Sequence, residues 1–200
     1  MTYYTTARNQ AKTQNSGRDR LFLAGYLTLM SALSLFVTVD AASAFPTQDI
    51  QVSIIKAKAH SRFDPRIPFR KTHRADFYSR VVVQGKFLGN TQVKSNTDRP
   101  TFNQTFIHKV SRHSKFAGIG IDLYDSDSGS ADDQADISPG RFGARLNLMY
   151  ELNTGKIYHQ DRQGSVSGPK TFIGRAGQTI TMRGDGKNAA ELTFRINRKL

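Results

Sequence analysis

Beyond residue 48 the 200-residue chain predicts an all-β fold, an eight-stranded antiparallel Greek-key sandwich, and three observations predict it. Apolar residues recur with a period of two rather than 3.6, the signature of half-buried strands. Turn residues punctuate the chain at Gly89-Asn90, Ser128-Gly129, Pro139-Gly140, Asn153-Thr-Gly155, Gly168-Pro169 and Gly184-Asp-Gly186, at the spacing of a sandwich. No segment carries a long helical stripe with caps.

The first 44 residues stand apart from this pattern. A basic, polar stretch ends at Arg18-Asp-Arg20, an uncharged run spans residues 21–39, and Ala42-Ser-Ala44 supplies a small-x-small site. This is the layout of a secretory signal peptide with a long first region, so the mature chain is expected to start at Phe45 and to occupy 45–200 as one domain. The same run is near the length of a membrane span, which leaves a membrane anchor as the alternative. Export would place the protein outside the cell, in the periplasm or in the cell envelope. The absence of cysteine excludes only a disulfide scaffold.

Within the domain, Ile50–Lys58 reads as the first strand. Asp76–Val83 follows, with Val81, Val83 and Phe87 expected on the core face and Arg80, Val82, Gln84 and Lys86 on the wetter one. A hairpin turn at Gly89-Asn90 leads to Thr91–Asn96, then to Phe102–Phe106 and Gly118–Tyr124. Ala144–Leu152, Gly155–His159, Thr179–Arg183 and Ala190–Ile196 complete the set, and Gln163–Pro169 reads as a loop.

The run Asp125-Ser-Asp-Ser-Gly-Ser-Ala-Asp-Asp133 follows the strand that ends at Tyr124. Ile119, Ile121 and Leu123 share a parity with Asp125 and Asp127, so these carboxylates continue the inward-facing row. Carboxylates aimed at an interior are costly unless a positive charge meets them. A hard divalent cation does so, and the Ser-Gly-Ser turn lets Asp133 return to the same point. A solvated acidic turn, which needs no metal, is the alternative reading of the same residues.

The order of features is more specific than the run alone. Asp76-Phe-Tyr opens a strand, a short hairpin follows, then Pro100-Thr-Phe-Asn-Gln-Thr-Phe106, an apolar strand, and Asp125-x-Asp127 with Asp133 six residues on. Over about residues 48–138 this resembles the C2 domain, a calcium-dependent phospholipid-binding module. The resemblance implies calcium as cofactor, with Asp64 and Asp76 as ligands from a first loop and Asp125, Asp127 and Asp133 from a third. It also implies that the strand face carrying Arg80, Lys86 and Lys94 meets anionic headgroups.

The charge balance suits such a partner: 29 Lys and Arg against 16 Asp and Glu give a net charge of +13. Arg62, Arg66, Arg70, Lys71 and Arg74 would flank the acidic tip, and an anionic lipid surface or acidic polysaccharide would meet them. A calcium-rigidified structural or adhesive domain without lipid binding is the alternative. The aromatic residues form none of the paired motifs of single-strand binders, which argues against nucleic acid. No enzyme is expected either. The five histidines form no zinc-protease spacing, and Gly164-Ser-Val-Ser-Gly168 puts valine at the centre of a would-be nucleophile elbow.

Overall fold

A computed structural model of the chain describes residues 46–63, 74–127, 129–140, 143–160 and 170–199. The expected leader at 1–44, Asp64, Arg66, Phe69, Arg70, Lys71 and the Gln163–Pro169 stretch lie outside the described residues. Among the described residues the structure is all strand: β1 (Thr47–Ala59), β2 (Phe77–Val83), β3 (Lys86–Asn90), β4 (Thr101–Ser111), β5 (Phe116–Asp125), β6 (Asp133–Ala135), β7 (Leu146–Glu151), β8 (Lys156–Gln160), β9 (Lys170–Arg175), β10 (Thr179–Arg183) and β11 (Ala190–Lys199). They form two antiparallel sheets, one in the order β10-β11-β1-β4 and the other β3-β2-β5-β7-β8-β9, with β6 paired to β5.

The sandwich expectation holds, with eleven strands among the described residues rather than eight. The three-residue β6 and the six-residue β9 are additions that the turn pattern did not separate out. The hairpin strand runs from Lys86 to Asn90, ahead of the expected Thr91–Asn96.

Alternation builds the core. Ile50, Val52 and Ile54 of β1 face Val81 and Val83 of β2 and Ile119, Ile121 and Leu123 of β5 across the interior, all at most 3% exposed. In β1 a bulge between Ile54 and Lys56 switches the buried parity, so Ala57 rather than Lys56 turns inward. A two-residue turn at Gln84-Gly85 sets Lys86 opposite Val83 and Phe87 opposite Val82, and a second bulge, between Val81 and Val82, shifts the rest of the β2–β3 pairing by one residue. Phe87 therefore lies on the outer face, 51% exposed, instead of in the core.

Two polar clasps tie the ends of the sheets. Asp136, following β6, accepts the Ser138 N–H at 3.1 Å and the Gly186 N–H at 2.7 Å with its carboxylate. Its backbone passes so close to Gly184 that a Cβ there would collide with the Asp136 carbonyl. Gln104 of β4 spans the gap to the other sheet's hairpin: its Oε1 accepts the Gln92 N–H and its Nε2 donates to the Asn90 carbonyl, both at 3.1 Å.

Candidate functional site

The β2–β5–β6 register gathers the acidic residues at one tip. Phe77 pairs with Asp125, and Asp125 stands directly opposite Asp133. Asp125 is 2% exposed, as its shared parity with Leu123 predicts. Its Oδ1 accepts the Asp76 N–H at 2.5 Å, and the Asp76 carbonyl accepts the Ser126 N–H at 3.0 Å. The Asp76 Oδ1 in turn accepts the Asn96 N–H. Like charges placed directly across an antiparallel pair repel, so the Asp125–Asp133 register costs stability wherever both are ionised and unscreened.

Sequence reasoning did not single out Asp132. Its Oδ1 accepts the Asp127 N–H at 3.2 Å, which folds the loop back on itself, and its Oδ2 accepts the Tyr78 hydroxyl at 2.6 Å. Burial and this bond to an anion push the Tyr78 phenol up to about 12. The only signal available was a tyrosine on the outward parity of β2, which does not specify a loop partner.

From Tyr78 a ladder of rings and cations runs along the outer face. Tyr78 stacks on Tyr124 with centroids 5.5 Å apart, and the Arg80 guanidinium lies 5.7 Å from the Tyr124 ring and 5.3 Å from that of Phe87. The register thereby links the basic hairpin to the acidic tip.

Arg80, Lys86 and Lys94 do not form one stripe. Arg80 pairs with Asn90 on the outward side, whereas Lys86 stands opposite inward-facing Val83 and Lys94 opposite inward-facing Phe77. The Lys86 charge is felt across the sheet gap, where burial first and then this lysine hold His108 on β4 below its ordinary value. Arg62 is exposed. Arg74 is exposed and pairs with Asp98 at 3.5 Å. Phe63 packs edge-on against Phe77 at 4.9 Å under the rim of the tip.

A second pair on the outer face was also missed. Arg145 grips Asp122 of β5 in bidentate fashion, with Nη2–Oδ2 at 2.6 Å and Nε–Oδ1 at 2.9 Å. Gln134 Nε2 adds a third bond to Asp122 Oδ1 at 3.0 Å. The carboxylate in front of it raises the Arg145 guanidinium further above its already high value.

The C2 domain family pattern matches residues 48–152. The chain belongs to the C2 domain family. Solved structures similar to it include one described as a C2 domain, at 12% identity and TM-score 0.44, with 76% of this chain and 99% of that chain covered. A single C2 domain of plant extended synaptotagmin 1 is similar at 11% identity and TM-score 0.45, with 76% and 94% covered. The calcium-bound pair of C2 domains of extended synaptotagmin 2 is similar at 15% identity and TM-score 0.48, with 76% and 45% covered. No curated protein matches the chain.

For this C2 domain, the donor chemistry at the tip suits calcium in kind, since carboxylate oxygens are what a hard divalent ion takes. In arrangement the fit is incomplete. Among the described residues no three carboxylate or histidine side chains converge closely enough to hold one ion. Asp76, Asp125 and Asp132 are instead engaged by N–H and O–H donors.

Proposed function

We propose that this C2 domain is a binding module, not an enzyme, that attaches to anionic lipid bilayers through its acidic tip, with calcium as the bridge. The observation that carries the reading is the strand register that stands Asp125 opposite Asp133 and brings Asp76 alongside. Asp76, Asp125, Asp127 and Asp133 would hold the ion, with Asp64 as an added donor from the first loop. Calcium would supply the positive charge that relieves their repulsion and meets lipid phosphate. Arg62 and Arg74 flank the tip, and Arg80 extends the cationic surface along the outer face.

Co-sedimentation with phosphatidylserine-containing vesicles tests this. Pelleting is expected in calcium and loss of pelleting in EGTA, and Asp125→Asn with Asp127→Asn should remove the difference. A second reading is favoured by the donors that already engage Asp76, Asp125 and Asp132: the tip is held by its own hydrogen bonds, and attachment is metal-free through Arg80 and the flanking arginines. Pelleting that is equal in calcium and EGTA, yet lost in Arg80→Gln, selects that reading.

We further propose that residues 1–44 direct export and are removed. Intact mass of protein recovered from the envelope or medium should correspond to a chain starting at Phe45. A chain that retains residues 21–39 in the membrane fraction would show an anchor instead.

A further inference from the structure

Away from the acidic tip, the outward row of β5 loses its side chains at two glycines. The outward row of β5 reads Phe116, Gly118, Gly120, Asp122, Tyr124, so two consecutive outward positions carry no side chain. Gly120 lies between Val82 of β2 and Asn147 of β7, and Gly118 lies opposite Met149 of β7. The result is a furrow along β5 of about 550 Å³, walled by Val82, Phe116 and Met149, and closed at one end by Arg145 over Gly120. That volume is within the usual range for a small-molecule site. At the other end two cations crown the Phe116 ring, Lys170 Nζ at 4.7 Å from its centroid and Lys115 Nζ at 5.3 Å.

We propose that this furrow binds one long-chain carboxylate of the fatty-acid class. The acyl chain lies over Gly118 and Gly120, and its carboxylate meets Lys115 and Lys170. The glycines let an apolar chain lie against the sheet, and each methylene taken out of water there favours binding. Glu151, opposite Phe116 on β7, offsets part of the Lys115 charge, and the two lysines together still leave a net positive end for a single anionic head, which a neutral or cationic amphiphile would not use. Residues 161–169, Asp-Arg-Gln-Gly-Ser-Val-Ser-Gly-Pro, hold a single large apolar side chain, so this segment of the chain is a poor chemical match for the furrow. The furrow lies at the Val83–Ile119 end of the β2–β5 ladder and the acidic tip at the Phe77–Asp125 end. The seven residues of β2 separate the two by about 20 Å. Binding in the furrow therefore needs no calcium.

The test is fluorescence titration of the full chain with cis-parinaric acid in EGTA. Saturable binding is expected. A Cβ at Gly118 meets no atom within 4 Å, so Gly118→Phe should fold normally while filling the furrow. It should weaken binding at least about tenfold, the equivalent of a few buried methylenes, with an unchanged melting temperature. Decanoate should displace the probe from the wild-type chain better than decanol does, and Lys115→Glu with Lys170→Glu should abolish that preference. Absence of saturable binding, equal binding by Gly118→Phe, or displacement by decanol as strong as by decanoate would each overturn the assignment. Because these readouts are taken without calcium, their failure leaves the vesicle experiment at the acidic tip standing, and the reverse holds as well.

Discussion

Asp122 and Asp125 leave the same strand three residues apart and on opposite faces, and both are almost wholly buried, at 3% and 2% exposure. Their surroundings differ in kind. Asp122 meets a guanidinium from β7's leading edge and an amide from Gln134, so its charge is answered by the chain itself. Asp125 accepts a backbone N–H and looks across the ladder at another aspartate. A buried acid answered from within is a fixed point of the fold, whereas one crowded by other acids gains most when a cation arrives from outside. This difference, more than burial, separates a structural aspartate from a candidate ligand.

The comparison is broken most severely at Arg145. Arg145→Met leaves the buried Asp122 carboxylate with the Gln134 amide but no opposite charge, and should cost about 3–5 kcal/mol in urea unfolding. Adding Asp122→Leu should recover much of that loss, because replacing both partners removes the stranded charge. A single-mutant loss below about 1 kcal/mol would place Asp122 in better solvent contact than its burial indicates.

At the tip the expected sign is opposite. There, calcium at a hundred times its dissociation constant should stabilise the domain by about 2.7 kcal/mol. Asp127→Asn should sharply reduce that gain while leaving the calcium-free fold intact, and Arg145→Met should leave the gain unchanged. Thermal melts with and without millimolar calcium read both. No rise in the wild-type midpoint would remove calcium from the proposal.

Tyr78 sharpens the contrast, since it touches the tip from the ladder side. Removal of its hydroxyl in Tyr78→Phe should cost about 1 kcal/mol, as expected for a half-exposed bond to a carboxylate. Its pH signature is more specific. The phenol is raised from 10.0 to about 12, so the folded chain keeps a proton that the unfolded chain releases across that window. Stability from this group is therefore full below pH 10 and is lost as pH climbs toward 12. Spectrophotometric titration should show a late-titrating tyrosine in the wild type that Tyr78→Phe removes. Tyr150 is buried and also raised, so one late phenol should remain in the variant.

The smallest effect is expected at the rim. Arg74 and Asp98 are both more than half exposed, and Arg74→Ala should change stability by about 0–1 kcal/mol. A larger loss would mark the rim as part of the packed structure rather than as available surface.

The sandwich and the inward direction of Asp125 were legible because both follow from parity, and parity survives any loop length. Register was not legible. The two-residue turn at Gln84-Gly85 pairs Val83 with Lys86 and Val82 with Phe87, which turns Phe87 outward and parts Lys86 from Arg80, where a strict alternation had placed them together. Asp122 and Arg145 are 23 residues apart, and only the β5–β7 pairing reveals them as partners. Asp132 escaped notice beside Asp133 because the loop's own N–H bonds choose which of two adjacent carboxylates turns back. The family likeness supplied what spacing alone lacked, a reason to group aspartates from distant loops.

Gln104 has a consequence for behaviour at high concentration. Strands at a sheet's margin present open backbone donors and acceptors, and these recruit strands from other molecules. Where β4 passes the hairpin, the Gln104 amide answers Gln92 and Asn90 as a neighbouring strand would, so that corner offers an incoming chain less to zip onto. One side chain thereby works as a guard against fibril-like growth. Gln104→Ala should leave the fold close to native but make concentrated solutions turn turbid sooner on heating.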